Sequence, residues 1–292
     1  MKKIGFSIAF LIAVIAMRFE SFAQEKTVRD TIVSNSASNK SYALVGMTYN
    51  SDIVFLGRKN PIKSPYISAS AGYYHKSGLF INGIISYLAT AERNRIDLFT
   101  ASGGYDYNKN NLTAGVSATG YVFNSKSYTV KSALAGNLNI YADYDFDLLE
   151  VYLGGTVYLS NQSDFIFNAT VSHNFYADND NLKISPAFSL YGGTQNYYSN
   201  YNNNLQFGRH MINNGSPAST GTGMMGGGFF NILNYEFSVP VRYMFKRFQF
   251  VLLPVYAIPV NAATINNNQN TYKEDLVNNF FWSLGVNFKI SK

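Results

Sequence analysis

The final stretch of the chain, residues 280–292, alternates large apolar side chains with small or polar ones almost without interruption. Phe280, Trp282, Leu284, Val286, Phe288 and Ile290 fall on one face, and Ser283, Gly285, Asn287 and Lys289 on the other. Successive side chains of a strand point to opposite sides, so this segment has one greasy and one wet surface. Such a face is buried either in a soluble core or against lipid. Which of the two applies depends on the rest of the chain.

Export is the second signal. Lys2 and Lys3 precede an apolar run from Ile4 to Ala16, and Ser21, Phe22 and Ala23 supply a small-x-small cleavage site. The run is shorter than the roughly 20 residues a spanning helix needs. Residues 1–23 therefore read as a cleavable signal peptide, with Gln24 as the first mature residue. Residues 24–40 are polar and aperiodic, the pattern of a periplasmic tail. The sequence contains no cysteine, so it offers neither a lipid-attachment site nor a disulfide scaffold. Stability has to come from a hydrogen-bonded sheet.

Beyond the signal, no apolar stretch is long enough for a membrane helix. Tyrosine and phenylalanine each occur 23 times, an excess expected of aromatic girdles at two bilayer interfaces. Charged residues make up only 14%. Without residues 1–23 the count is 23 − 3 = 20 basic and 17 − 1 = 16 acidic, too even a balance to imply nucleic acid.

Alternation and bounding turn residues give twelve strand spans: 41–50, 64–75, 79–90, 96–107, 112–123, 128–144, 148–160, 164–176, 182–194, 229–245, 248–260 and 278–290. Most are close to the length a tilted membrane strand requires, about 9–11 residues plus rims. Connections alternate in length. Residues 76–78, 108–111, 145–147, 177–181 and 246–247 are brief, whereas 51–63, 195–228 and 261–277 belong to the other set; 124–127 is a short exception in that set. An even-stranded barrel with both termini periplasmic sorts its loops in this way, and a soluble sandwich has no reason to. Within strands, Leu138 and Ile140 oppose Asn137, Asn139 and Asp143, and Leu149, Val151 and Leu153 oppose Glu150 and Tyr152. In 128–144, Val130 and Leu134 are expected outward and Lys131 inward. The implied interior is wet, made of Ser, Thr, Gly, Asn and Tyr with a few charges. Span 248–260 departs from this, being apolar on both faces and carrying Pro254 and Pro259. With Pro186 and Pro240 it marks either bulges or a place where a loop covers the wall from inside.

With signal, alternation, loop parity and aromatic terminal strand together, residues 41–292 resemble an outer-membrane β-barrel protein, porin-like and of Gram-negative type. The resemblance implies an all-β, transmembrane antiparallel up-and-down barrel of about twelve strands in the bacterial outer membrane. It also implies outer-membrane lipid and the barrel-assembly machinery as partners. The chain ends Phe288, Lys289, Ile290, Ser291, Lys292, which departs from the terminal aromatic usual in such barrels.

No cofactor, metal site or catalytic set is expected. Of His75, His173 and His210, only His173 has Ser and Asn neighbours, and adjacent strand residues face opposite ways and cannot form a relay. Asp143, Asp145 and Asp147, like the acidic turn at 178–181, read as solvated turn residues and not as a six-ligand calcium site. The inward charges Lys131, Asp143, Glu150, Lys183, Glu236, Arg242 and Lys289 are the candidate lumen-lining groups. In the long loop 195–228, Tyr197, Tyr198, Tyr201 and Arg209 are candidates for a constriction or ligand contact. The resulting expectation is a narrow channel or binding pore for small polar solutes. The alternatives are a structural or surface-recognition barrel with a plugged lumen and a lipid-modifying enzyme.

Overall fold

The computed structural model describes residues 40–59, 63–90, 94–127, 129–197, 223–224, 228–267 and 270–291. Residues 1–23 and all of 24–40 except Lys40 lie outside that set. Twelve antiparallel strands follow one another around a closed ring. They are β1 (Tyr42–Asn50), β2 (Tyr66–Tyr74), β3 (Leu79–Leu88), β4 (Arg95–Lys109), β5 (Leu112–Phe123) and β6 (Gly136–Asp145). The second half comprises β7 (Glu150–Leu159), β8 (Asp164–Ser172 and Phe175–Ala177), β9 (Leu182–Ile184 and Ala187–Gly193), β10 (Asn231–Ser238 and Val241–Phe245), β11 (Phe248–Pro259) and β12 (Asn279–Ser291). The aromatic terminal strand closes the ring. β12 pairs with β1 from Tyr42↔Ser291 to Asn50↔Ser283 and with β11 from Phe248↔Phe288 to Ala257↔Asn279. Closure leaves no open sheet edge, which a lipid environment requires because nothing there can hydrogen-bond a bare backbone.

The period-2 pattern sorts the side chains as alternation demands. Val45, Met47, Ile81, Val116, Val122, Leu138, Ile140, Leu153 and Phe165 stand exposed on the outside, and Ile81 is 64% accessible. Between them, Thr48, Ser68, Ser86, Thr100, Ser117, Asn139, Thr156, Thr170 and Ser189 point inward and are buried. A protein greasy outside and polar inside is inverted relative to a soluble one, and the solvent that suits that exterior is lipid.

Three strands are interrupted, and the interruptions lie side by side. β8 breaks after Ser172, β9 at Pro186 and β10 at Pro240. The register runs Ser172↔Ala187, Ala187↔Ser238 and Ser238↔Val255, the last one residue beyond Pro254. Proline has no N–H to give the ladder, so Pro186, Pro240 and Pro254 on the neighbouring β9, β10 and β11, beside the break in β8, make a crease across the wall. The backbone still bridges it, with His173 N donating to Pro186 O, Ser185 N to Pro240 O and Val239 N to Pro254 O.

One expected strand starts later than its sequence suggests. Residues Val130–Ala133 form a 3-10 turn and β6 begins only at Gly136. Ser132 N bonds Thr129 O and Leu134 N bonds Lys131 O, which fixes a turn where a ladder was expected. Leu134, expected toward lipid, is instead 3% exposed inside the barrel, where burial against other apolar side chains outweighs strand continuity. Residues 124–135 therefore form one longer connection, which removes the exception to loop parity at 124–127. The short connections are tight turns whose left-handed residues are Asn110, Asp147, Asp178, Asn179, Asp180 and Lys246. Asn and Asp adopt that conformation more readily than most residues.

Candidate functional site

Twelve strands about 4.8 Å apart and tilted by about 40° enclose a backbone cylinder roughly 24 Å across. Side chains reaching in from opposite walls cannot fill that width. At the end carrying the longer loops, the chain fills it with loop. Residues 51–59 fold back into the barrel as a two-rung hairpin, Val54–Phe55 paired with Arg58–Lys59. Its turn, Leu56 and Gly57, has positive φ at both positions (50° and 75°), the geometry of the tight turns that suit strand twist. Gly57 is required for space as well. A Cβ there would stand 2.2 Å from Asn234 Oδ1.

The hairpin resolves the ambiguity of the doubly apolar β11. Its inward residues Leu253, Val255 and Ala257 pack with Phe281 of β12 against Val54. On the other side of the hairpin, Phe55 meets Tyr158 and Tyr197 edge-on at 5.5 and 5.1 Å and joins Leu98, Tyr121, Leu134, Ile166, Tyr191 and Leu233. The loop-side half of the interior is thus packed around two apolar clusters, where composition suggested a wet lumen. The reason is tertiary: an inserted hairpin supplies the partners that make apolar inward residues favourable.

Arg58, the hairpin's only buried charge, is 4% exposed, and all five of its N–H groups are used. Nε donates to both Glu274 carboxylate oxygens at 3.0 and 3.2 Å. Nη1 donates to Leu56 O and Leu233 O at 3.0 and 3.1 Å, and Nη2 to Val260 O and Asn261 O at 3.0 and 3.2 Å. Glu274 also accepts from Ala263 N at 3.0 Å, so the carboxylate is held by its own loop. The guanidinium thereby ties the hairpin to the ends of β10 and β11 and to loop 260–278. Asn279 Nδ2 adds a bond to Gly57 O at 2.7 Å. At the hairpin's entry, Asp52 accepts from Ile53 N and Ser64 N, and burial pushes its carboxyl above the usual range against those bonds.

Two more loops close around this hairpin. The 3-10 turn brings Lys131 inward, 2% exposed, with Nζ 4.3 Å from the Tyr121 ring centre and 5.8 and 6.0 Å from those of Tyr158 and Phe55. Rings around an ammonium offset part of its desolvation. Tyr197 is fully buried because Asp164 anchors the backbone before it. That carboxylate accepts from Thr194 Oγ1, Asn196 N and Tyr197 N at 2.7, 2.6 and 2.8 Å. Burial raises the Tyr197 phenol well above its ordinary value. Asp97 ties β4 to the same region through Tyr66 Oη, Ser127 Oγ at 2.7 Å and Arg95 Nε at 2.7 Å.

Along the wall formed by β1 to β4, burial of inward residues falls off toward the short-turn end. Along β3 it runs from Leu88 at 0% through Ser86 at 8% to Asn82 and Phe80, which are partly accessible. Gly46, Ser70, Gly72, Ser102, Gly104 and Asp106 on β1, β2 and β4 are likewise partly accessible. The interior is therefore packed at the loop end, and near the turns it is partly accessible along β1 to β4, while Asp143, Glu150, Lys183, Arg242, Gln249 and Asn287 on the facing strands stay buried.

The seven candidate charges do not form one ring. Lys131 sits on the inserted turn at the loop end. Glu236 is buried in the middle of β10, where Asn234 Nδ2 donates to it at 2.8 Å. Five lie near the short turns: Asp143, Glu150, Lys183, Arg242 and Lys289. Of these, Glu150 and Lys183 pair at 3.8 Å and Glu150 accepts from Asn174 at 2.6 Å. Lys183 and Arg242 are register partners, and Lys289 Nζ lies 4.3 Å over the Tyr42 ring. Acidic groups occupy β4, β6 and β7, with Asp106 bonded to the Tyr141 hydroxyl, and basic groups occupy β9, β10 and β12. Tyr198, Tyr201 and Arg209 lie outside the described residues. Ser172 faces inward, whereas the His173 ring packs edge-on against Phe175 at 4.4 Å with Nδ1 against Leu148 O.

Sequence reasoning offered an inward loop over β11 as one alternative but did not identify it as residues 54–59, and it missed Arg58 and Glu274. The available signal was the apolar run Ile53, Val54, Phe55, Leu56 inside a connection otherwise expected to be solvated.

No protein-family model and no curated protein matches the chain. Among solved structures it is similar in shape to a KdgM porin, with a TM-score of 0.46 at 9% identity over 84% of this chain and 98% of that one. LpxR from Salmonella typhimurium gives 0.45 at 11% identity, over 84% and 99% of the two chains. An outer membrane channel from Pseudomonas putida F1 gives 0.41 at 11%, over 86% and 96%. The closed ring and its lipid-suited exterior decide the class. The chain is an outer-membrane-type β-barrel of twelve strands. No side chain of its site is inferred from those neighbours.

Proposed function

We propose that this barrel is an outer-membrane channel for small polar solutes, closed from the outside by its own hairpin. The observation that carries the reading is the contrast between the packed loop end and the small, partly accessible inward residues Gly46, Ser70, Gly72, Ser102 and Gly104 nearer the turns, a polar recess that ends against residues 54–59. A lumen meant only as a structural core would gain from being packed along its whole length. In this reading the charges near the turns bias solutes electrostatically, acidic on one wall and basic on the other. Residues 1–23 serve as export signal, 24–40 as periplasmic tail, and outer-membrane lipid and the assembly machinery are the barrel's partners. No residue acts by bond-making. The geometry of His173, turned to Leu148 O and Phe175 and away from Ser172, supports that part.

A surface-recognition barrel with a permanent plug is the second reading, favoured by the dry packing of Phe55, Tyr197 and Leu233. Planar-bilayer recording separates the two. Refolded protein is expected to show rare openings, and a variant with residues 53–59 replaced by a Gly–Ser linker steady conductance. Silence of both at every voltage rejects the channel.

A further inference from the structure

The clamp around Arg58 is a built site for a guanidinium group. Glu274 lies edge-on to Nε, and the carbonyls of Leu56, Leu233, Val260 and Asn261 lie in pairs beside Nη1 and Nη2. That set of acceptors satisfies a fork of five donors. It would leave a tetrahedral ammonium, with three, short of partners. Three of the four carbonyls and the carboxylate belong to β10 and the loop after β11, so most of the site remains if the hairpin leaves. The group filling it is the chain's own, on a hairpin that stands across the bore.

Resting on the channel reading above, we propose that the outer mouth carries a guanidinium-selective binding site which Arg58 occupies as a tethered stopper. Solutes bearing a guanidinium group, free arginine being the simplest probe, compete for it and release the hairpin. The solute class is thereby cationic and guanidinium-bearing, set by acceptor geometry and not by net charge alone. A solute at the clamp takes over the Glu274 carboxylate and three carbonyls, and the hairpin loses the tie that spans four segments of the chain.

Two measurements test this. In calorimetry on the detergent-folded Arg58→Ala variant, guanidinium chloride at millimolar concentration is expected to bind, and ammonium and urea are not. Arg58→Ala with Glu274→Gln is expected to lose that binding. In bilayers containing the unaltered protein, arginine on the loop side is expected to raise open probability at least about tenfold over equal lysine. Equal responses to arginine and lysine, no response to arginine, or no guanidinium binding by a folded Arg58→Ala would each overturn the proposal. The bilayer arm needs no variant, so it decides the matter even if Arg58→Ala fails to fold. A hairpin-deleted barrel that conducts while arginine has no effect refutes the site and leaves the channel standing. Calorimetric binding with no current from any form refutes the channel instead.

Discussion

Replacing Phe55 by alanine tests whether packing, beside the Arg58 clamp, keeps the hairpin in the bore. Phe55 is 2% exposed and its ring meets those of Tyr158 and Tyr197 at 5.5 and 5.1 Å. A buried phenylalanine covers roughly 150–200 Å², so at about 25 cal/mol per Å² truncation removes about 4 kcal/mol, within the 3–5 kcal/mol typical of such changes. The loss falls on the equilibrium between docked and released hairpin, because the twelve-strand ladder does not depend on this residue. A shift of about 4 kcal/mol multiplies the released fraction by a factor on the order of 10³. Amide hydrogen exchange at residues 54–59 is expected to accelerate by that order while exchange in β4 to β7 stays unchanged. Bilayer recordings of the same variant are expected to show more frequent openings. Phe237→Ala, at a lipid-facing position 51% exposed, is the control and should leave residues 54–59 protected. Unchanged exchange at 54–59 in Phe55→Ala would refute the packing argument, because no redistribution of this size could go unseen.

Gly57→Val should release the hairpin too, since it forces a branched residue to a φ of 75° and places Cβ 2.2 Å from Asn234 Oδ1; the same exchange experiment should report about 2–3 kcal/mol. Asp164→Ala strips the acceptor from Thr194 Oγ1, Asn196 N and Tyr197 N and should cost about 2–3 kcal/mol locally, read as faster exchange at 194–197 with the barrel intact. Trp282, the only tryptophan, sits on the outer face of β12 with Tyr49 at 5.4 Å; spin-labelled acyl chains should quench its fluorescence, and quenching only by aqueous iodide would contradict the lipid-facing exterior. Lys183→Glu puts a second carboxylate beside Glu150, 3.8 Å from the present ammonium, and reversal potentials of the hairpin-deleted barrel should move toward cation preference by a few-fold; movement toward anions would count against a lumen controlled by these walls.

Much of the fold was legible because strand periodicity is local. Whether Leu138 and Ile140 face out, and Asn139 in, follows from spacing alone once a strand exists, and the strands' number and order follow from turn residues such as Asn110 and Asp147. The inward direction of Glu150, Lys183 and Arg242 followed from the same parity. The doubly apolar span 248–260 hinted at an inward loop, but which loop it was could not be read, because no local rule says where a loop goes after it leaves the sheet. Leu134 shows the same limit: its spacing suits the lipid face, and an inward partner available only in three dimensions took it instead.

The sequence by itself determined an even-stranded barrel with lipid outside and polar groups within, since alternation and closure need only short-range information. Tertiary structure alone decided that the outer half is packed, that the inner apolar face of β11 is covered by the hairpin at 54–59, and that Arg58 meets Glu274, 216 residues away. A cylinder about 24 Å wide has space that wall side chains cannot fill, and which loop occupies it depends on contacts between distant segments.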